Sequence, residues 1–127
     1  MLFEDGRVRL FYYEHRGKRH FPEVCQYMTS DNVYPMVFSG SIEAARALLG
    51  PTDPAESHEG QIRNVKLLPT DIMHNIAHCS DGPKNAIREI ALTFPECFYE
   101  LFPGITEEYF AMEYPEIPRE YYPQFTA

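Results

Sequence analysis

The chain has 127 residues, 44% of them hydrophobic, with 19 acidic against 11 basic side chains and a net charge of −8. That length and apolar content fit one domain, or one domain with a tail, and exclude a wholly disordered chain. The acidic balance argues against a general nucleic-acid-binding role, yet it leaves room for a nucleotide site, because a few local arginines can hold phosphates.

Residues Glu4 to about Arg16 read as a helix, with Val8, Phe11, Tyr12 and His15 on one face at spacings of three and four. Glu4 and Asp5 suit its start and Gly17 its end, while Gly6 is a weak helix former. Phe21-Pro22 opens a second short helix through Val24, Cys25 and Tyr27, which stops near the turn signal Ser30-Asp31-Asn32. Val33 to Phe38 is the strongest strand pattern, although Pro35 confines it to an edge. Ser41 caps a helix whose apolar face is Ile42, Ala45, Leu48 and Leu49 and whose end is Gly50. Pro51 to about Thr70 has no periodicity, and a loop of that length inside a compact domain is usually functional. Ile72 to Cys79 reads as a second strand. Pro83 starts a helix with Ala86, Ile87, Ile90, Ala91 and Phe94 on one face, and Pro95 ends it. These readings divide the chain into a domain over 1–95 and an extension over 96–127 rich in Tyr, Phe, Pro and Glu. The extension is expected to be extended and to order on contact with this domain or a partner.

Three cysteines at wide spacings make neither a disulfide framework nor a zinc site, and they fit reduced intracellular thiols. No apolar run approaches the roughly 18 residues of a membrane span, and the first residues do not read as a signal peptide.

The residues able to do chemistry point to phosphate transfer. His78 ends an apolar run beside a helix start, and an imidazole is uncharged enough near neutral pH to act as a nucleophile. Its second nitrogen needs an acceptor, which Glu89 on the following helix could supply. Arg46, Thr52, Arg63 and Asn75 could hold the phosphoryl group, a reaction that rests mostly on positioning and charge stabilisation. No glycine-rich phosphate loop is present, so side chains would hold the phosphates. Taken singly, each of these residues has a plainer reading: a structural histidine, solvated arginines and a Thr52-Asp53-Pro54 turn.

Their order adds weight. Phe11 to Phe21, Tyr27-Met28, Arg46-Ala47-Leu48-Leu49-Gly50-Pro51-Thr52-Asp53-Pro54, Ile62-Arg63, Asn75-Ile76-Ala77-His78-Cys79-Ser80-Asp81 and Arg88-Glu89 follow one another as in a known series. Over residues 2–95 the chain resembles the nucleoside diphosphate kinase family. The resemblance implies an α/β (α+β) fold, a ferredoxin-like sandwich with an antiparallel sheet. It also implies transfer of the γ-phosphate of a nucleoside triphosphate to a nucleoside diphosphate through a phosphohistidine at His78, with Mg²⁺ held mainly by the nucleotide. Glu89 would orient His78. Tyr13, Arg46, Thr52, Arg63 and Asn75 would surround the phosphates, and Phe21 would stack on the base.

The departures from the family are expectations too. A first strand carrying a Lys-Pro-Asp segment has no counterpart here, so the chain is expected to be a piece, or to be completed by another chain. Cys79 stands where glycine is usual, and Ser30-Asp31-Asn32 replaces Ser-Gly-Pro. This drift and the tail resemble kinase-like modules of ciliary and flagellar axonemes. The second reading is therefore a weakly active or inactive structural module that docks through its tail, in the cytoplasm or a cilium. Expected partners are nucleoside di- and triphosphates and a protein partner or further copies, with no membrane and no specific nucleic acid.

Overall fold

A computed structural model describes residues 1–66 and 70–124. Six α-helices follow in order: α1 (Asp5–Phe11), α2 (Phe21–Met28), α3 (Ile42–Leu49), α4 (Pro83–Thr93), α5 (Phe98–Leu101) and α6 (Glu107–Glu113). Three 3₁₀ turns, Tyr13–His15, Pro54–Glu56 and Arg119–Tyr121, separate them. Among the described residues there is no strand, which overturns the expected antiparallel sandwich. None of these helices is long and apolar enough to cross a membrane.

The helices form where local signals are strong. The Ser41 hydroxyl accepts from Ala44 N at 3.2 Å and closes the first turn of α3. Gly50 ends that helix at φ 100°, a conformation L side chains rarely adopt, while its Cα faces Gln61 closely. Ser41→Ala is expected to lower stability by about 1 kcal/mol in urea titration, because one amide of the first turn loses its acceptor. The helix expected over Glu4 to Arg16 closes instead at Phe11 and tightens into the 3₁₀ turn Tyr13–His15. Gly6 within it has a packing reason: a Cβ there would run into the Tyr121 hydroxyl.

Both expected strands fail for want of a ladder partner. At Val33, N–H donates to Met1 O at 2.7 Å, and the Met1 amine donates back to Val33 O at 2.8 Å. Beyond that one reciprocal pair the segment to Phe38 has no backbone partner among the described residues and lies open to solvent, with Tyr34 84%, Met36 73% and Phe38 70% exposed. In 72–79 local side-chain bonds win over extension. Asp71 Oδ1 accepts from the backbone N–H of Met73 and His74, and Ile76 sits at φ 80°. A β-branched residue in that region is strained by about 1–3 kcal/mol.

The core lies where α1 packs on α2 and α4, and the C-terminal segment completes it. Val8, Cys25, Leu92, Phe98, Phe110 and Tyr114 are the largest fully buried side chains. The expected extended tail is thus corrected: α5, α6 and the last 3₁₀ turn fold it onto α1 and α4. Thr106 caps α6 by accepting from Tyr109 N at 3.1 Å. The Tyr114 hydroxyl donates to Lys84 O at 2.8 Å and ties the tail to the first turn of α4, and burial pushes its pKa up to about 12.

Candidate functional site

A cleft of about 320 Å³ lies between the 3₁₀ turn at Tyr13–His15, the Val24–Met28 part of α2, Arg46 of α3 and the segment 72–81. His78 lines it. One edge of its ring is fixed, because Nε2 is hydrogen-bonded to Glu89 Oε1. Glu89 comes from the second turn of α4 and is 3% exposed, so its carboxylate is held out of bulk water. The rings of Phe11 and Tyr12 meet the imidazole edge-on at 5.0 and 5.2 Å. With Nε2 engaged and both flanks packed, Nδ1 is the nitrogen left without a partner among the described residues.

Four of the expected anion ligands share this cleft: Arg46, Thr52, Arg63 and Asn75. The donors of Arg46, Arg63 and Asn75 are engaged with main-chain carbonyls. Arg46 donates to Cys79 O at 2.9 Å, and Asn75 Nδ2 donates to Thr52 O at 3.2 Å and Ile72 O at 3.0 Å. Buried Arg63 donates to Gly50 O at 3.3 Å, Pro51 O at 3.1 Å and Ala77 O at 2.8 Å, while its Nε has no partner. Those bonds join the loop after α3 to the residue before His78. Burial, and then the nearby charge of Arg46, lowers the Arg63 pKa. Two guanidinium groups close enough to repel leave a positive potential in the cleft, and an anion relieves it.

Tyr13 and Phe21 do not line the cleft. The Tyr13 ring lies 3.6 Å beneath the Arg16 guanidinium, and Phe21 packs against the core with Arg9 5.8 Å from its centroid. Their neighbours Tyr12 and His20 line it in their place, with His15 and Lys18. Burial, followed by the charges of Glu89 and Glu14, raises the Tyr12 pKa and keeps it a neutral phenol beside His78. The apolar spacing carried the signal for Tyr12, since it placed that residue on the inner face with Val8 and Phe11. Nothing in the sequence pattern marked His20.

Two carboxylates, Glu14 and Asp81, also line the cleft. Glu14 is ion-paired with buried Arg88, which fastens the 3₁₀ turn to α4. Asp81 accepts from Asn85 Nδ2 at 2.7 Å, and that bond chiefly lowers its pKa. Among the described residues no group of three or more His, Cys, Asp or Glu could hold a metal by itself.

Asp71 anchors the loop that presents Asn75. Backbone and side-chain hydrogen bonds from His74, the latter at 2.9 Å, hold its pKa below the usual carboxylate value. A carboxylate held low stabilises the loop above its ordinary pKa and loses that contribution as pH falls through the lowered value. The Met73 amide signal in NMR, donated to Asp71, is therefore expected to make its acid-side movement below about pH 4, the ordinary Asp value.

An imidazole braced by a buried carboxylate and facing two guanidinium groups and an amide defines an anion cleft built around a histidine. The family described as Nucleoside diphosphate kinase matches residues 1–98, and the chain belongs to that family. It is similar to the nucleoside diphosphate kinase of Synechococcus sp. (strain JA-3-3Ab), 45% identical over 87 residues, which are 67% of this chain and 57% of that protein. The enzyme of Wolbachia pipientis subsp. Culex pipiens (strain wPip) is 37% identical over 99 residues, 76% of this chain and 70% of the relative. That of Methanothermobacter thermautotrophicus is 43% identical over 95 residues, 71% and 62% respectively. The chain thus spans between about half and seven tenths of the length of these relatives.

Proposed function

We propose that the chain forms the nucleotide site of a nucleoside diphosphate kinase, with His78 as the phosphate carrier. The single observation that supports this best is the bond between His78 Nε2 and buried Glu89, which fixes one tautomer and leaves Nδ1 as the nucleophile. In the first half-reaction Nδ1 attacks the γ-phosphorus of a nucleoside triphosphate. The N–P bond forms, the bond to the β-phosphate oxygen breaks, and the nucleoside diphosphate leaves. In the second, a terminal oxygen of another diphosphate attacks the phosphohistidine and restores His78. Arg46, Arg63, Thr52 and Asn75 donate to the phosphates, the two arginines exchanging a main-chain carbonyl for a phosphate oxygen. Tyr12, a neutral phenol whose ring packs edge-on against that of His78 in the same cleft, is a further donor. Bound with the nucleotide, Mg²⁺ would neutralise phosphate charge, and Glu14 and Asp81, which line the cleft, would hold its hydration shell.

Incubation with γ-labelled ATP is expected to leave acid-labile, base-stable phosphate on the protein, which peptide mapping assigns to His78. Absence of label under conditions where ATP binds overturns the reading. A second reading, a kinase-like structural module in an axonemal assembly, draws on the exposed Tyr109 and Met112 of the acidic tail. It predicts ATP binding or folding without any phosphoenzyme.

A further inference from the structure

The cleft holds a nucleophile that phosphate transfer does not use. Cys79 follows His78 directly, is half-buried and lines the cleft. Cys25 is buried, Cys97 Sγ faces Phe94 O at 3.8 Å, and neither lines that cleft. Around Cys79 the charge is positive. Arg46 donates to the Cys79 carbonyl at 2.9 Å, and the Arg63 guanidinium lies near enough for a charge on Cys79 to act on it. Arg63 is 8% exposed and lines the same cleft, yet its Nε has no partner among the described residues. A buried N–H left without an acceptor is costly, and an anion delivered into the cleft supplies one. A reachable thiol thus stands beside an unmet demand for negative charge, and an electropositive, partly exposed setting is what makes a cysteine reactive.

We infer that Cys79 is a modification site for small disulfides that carry carboxylates. In the exchange the Cys79 sulfur, as thiolate, attacks one sulfur of the disulfide. A new S–S bond forms to Cys79 as the old one breaks, the other half leaves as a thiolate, and the proton of the Cys79 thiol passes to solvent. Cys79 is oxidised to the disulfide level while the departing half is reduced, so no further oxidant is needed. The carboxylate retained on Cys79 meets Arg46 and Arg63, and charge-assisted hydrogen bonds hold the adduct in the part of the cleft they share. The adduct closes the cleft to other anions, and a dithiol reductant reopens it. The inference rests on the thiol and the charge of the cleft, and not on phosphate transfer by His78.

The full reduced chain tests it without nucleotide, with dithiobis(nitrobenzoate) as the anionic disulfide and dithiodipyridine as the neutral one. Each rate is divided by that of a short unstructured cysteine peptide with the same reagent. A net charge of −8 repels an anionic reagent, so an ordinary exposed thiol of this chain favours the neutral disulfide on that scale. At Cys79 the opposite is expected: a preference of at least about fivefold for the anionic disulfide, with peptide mapping placing the first adduct at Cys79. Millimolar inorganic pyrophosphate is expected to slow that reaction by at least about fivefold, and Arg46→Gln to cut the preference by about threefold with an unchanged circular dichroism spectrum. Equal or faster reaction with the neutral disulfide overturns the inference. So does a first adduct at Cys25 or Cys97, or a rate that pyrophosphate leaves unchanged in the wild-type chain. Phosphate label at His78 in a chain that fails these tests leaves the phosphate-carrier reading standing, so the two failures are distinct.

Discussion

On the proposed mechanism, His78→Gln is expected to leave a folded protein that forms no phosphoenzyme and to slow nucleotide turnover by on the order of 10⁴–10⁶-fold. Glutamine is the informative choice. Its amide nitrogen sits near the place of Nε2 and can donate to Glu89, so the buried carboxylate keeps a partner and the cleft keeps its shape. What disappears is Nδ1. Glu89→Gln removes the complementary half. An amide can donate as well as accept, so the proton can settle on Nδ1 and leave the lone pair on Nε2, where the amide donates to it. The expected loss is about 10²–10⁴-fold, smaller than for His78 but on the same step. Rapid-quench measurement of phosphoenzyme formation checks both, with circular dichroism as the fold control. Unchanged labelling in His78→Gln would remove this residue from the chemistry altogether.

Phe110→Ala is expected to lower stability by about 3–5 kcal/mol in urea titration. Phe110 is fully buried, with ring centroids of Phe98, Tyr114 and Tyr122 at 5.5, 5.0 and 5.4 Å, so truncation opens a cavity that three fixed aromatics cannot close. Met112→Ala, two residues along on the exposed face, is the control and should change stability by no more than about 0.5 kcal/mol. Equal effects at the two positions would mean that the C-terminal segment does not belong to the core.

The sequence was most legible where structure is decided locally. Ser41 and Gly50 bracket α3, and Pro83 opens α4, because caps and proline act within a turn of their own position. It was least legible where a partner decides. Val33–Phe38 has strand composition, but composition supplies no second backbone, and among the described residues only Met1 pairs with it. Ile72–Cys79 lost to the local bonds of Asp71 and Asn75, which an alternation count does not see. In the tail, Pro103 and Pro115 stand outside α6 and bound a short helix rather than forbid one. At the cleft, His78, Glu89, Arg46, Thr52, Arg63 and Asn75 come together, while Tyr13 and Phe21 each lie one residue from the side chain that lines it. A motif match tolerates such a shift, and a helical face does not.

The open segment after Val33 also shapes the chain's colloidal behaviour. From Asn32 to Ile42 eleven residues carry no charge, and the most exposed aromatic and thioether groups among the described residues, Tyr34 and Met36, stand among them. At neutral pH the surplus of eight negative charges opposes contact between such stretches on different copies. Near the isoelectric point, about 5.0, that repulsion falls away and this stretch is expected to be where molecules coalesce. Pro35, having no N–H to give, interrupts any continuous ladder, so the product is an amorphous precipitate that redissolves on raising pH, and not a fibril.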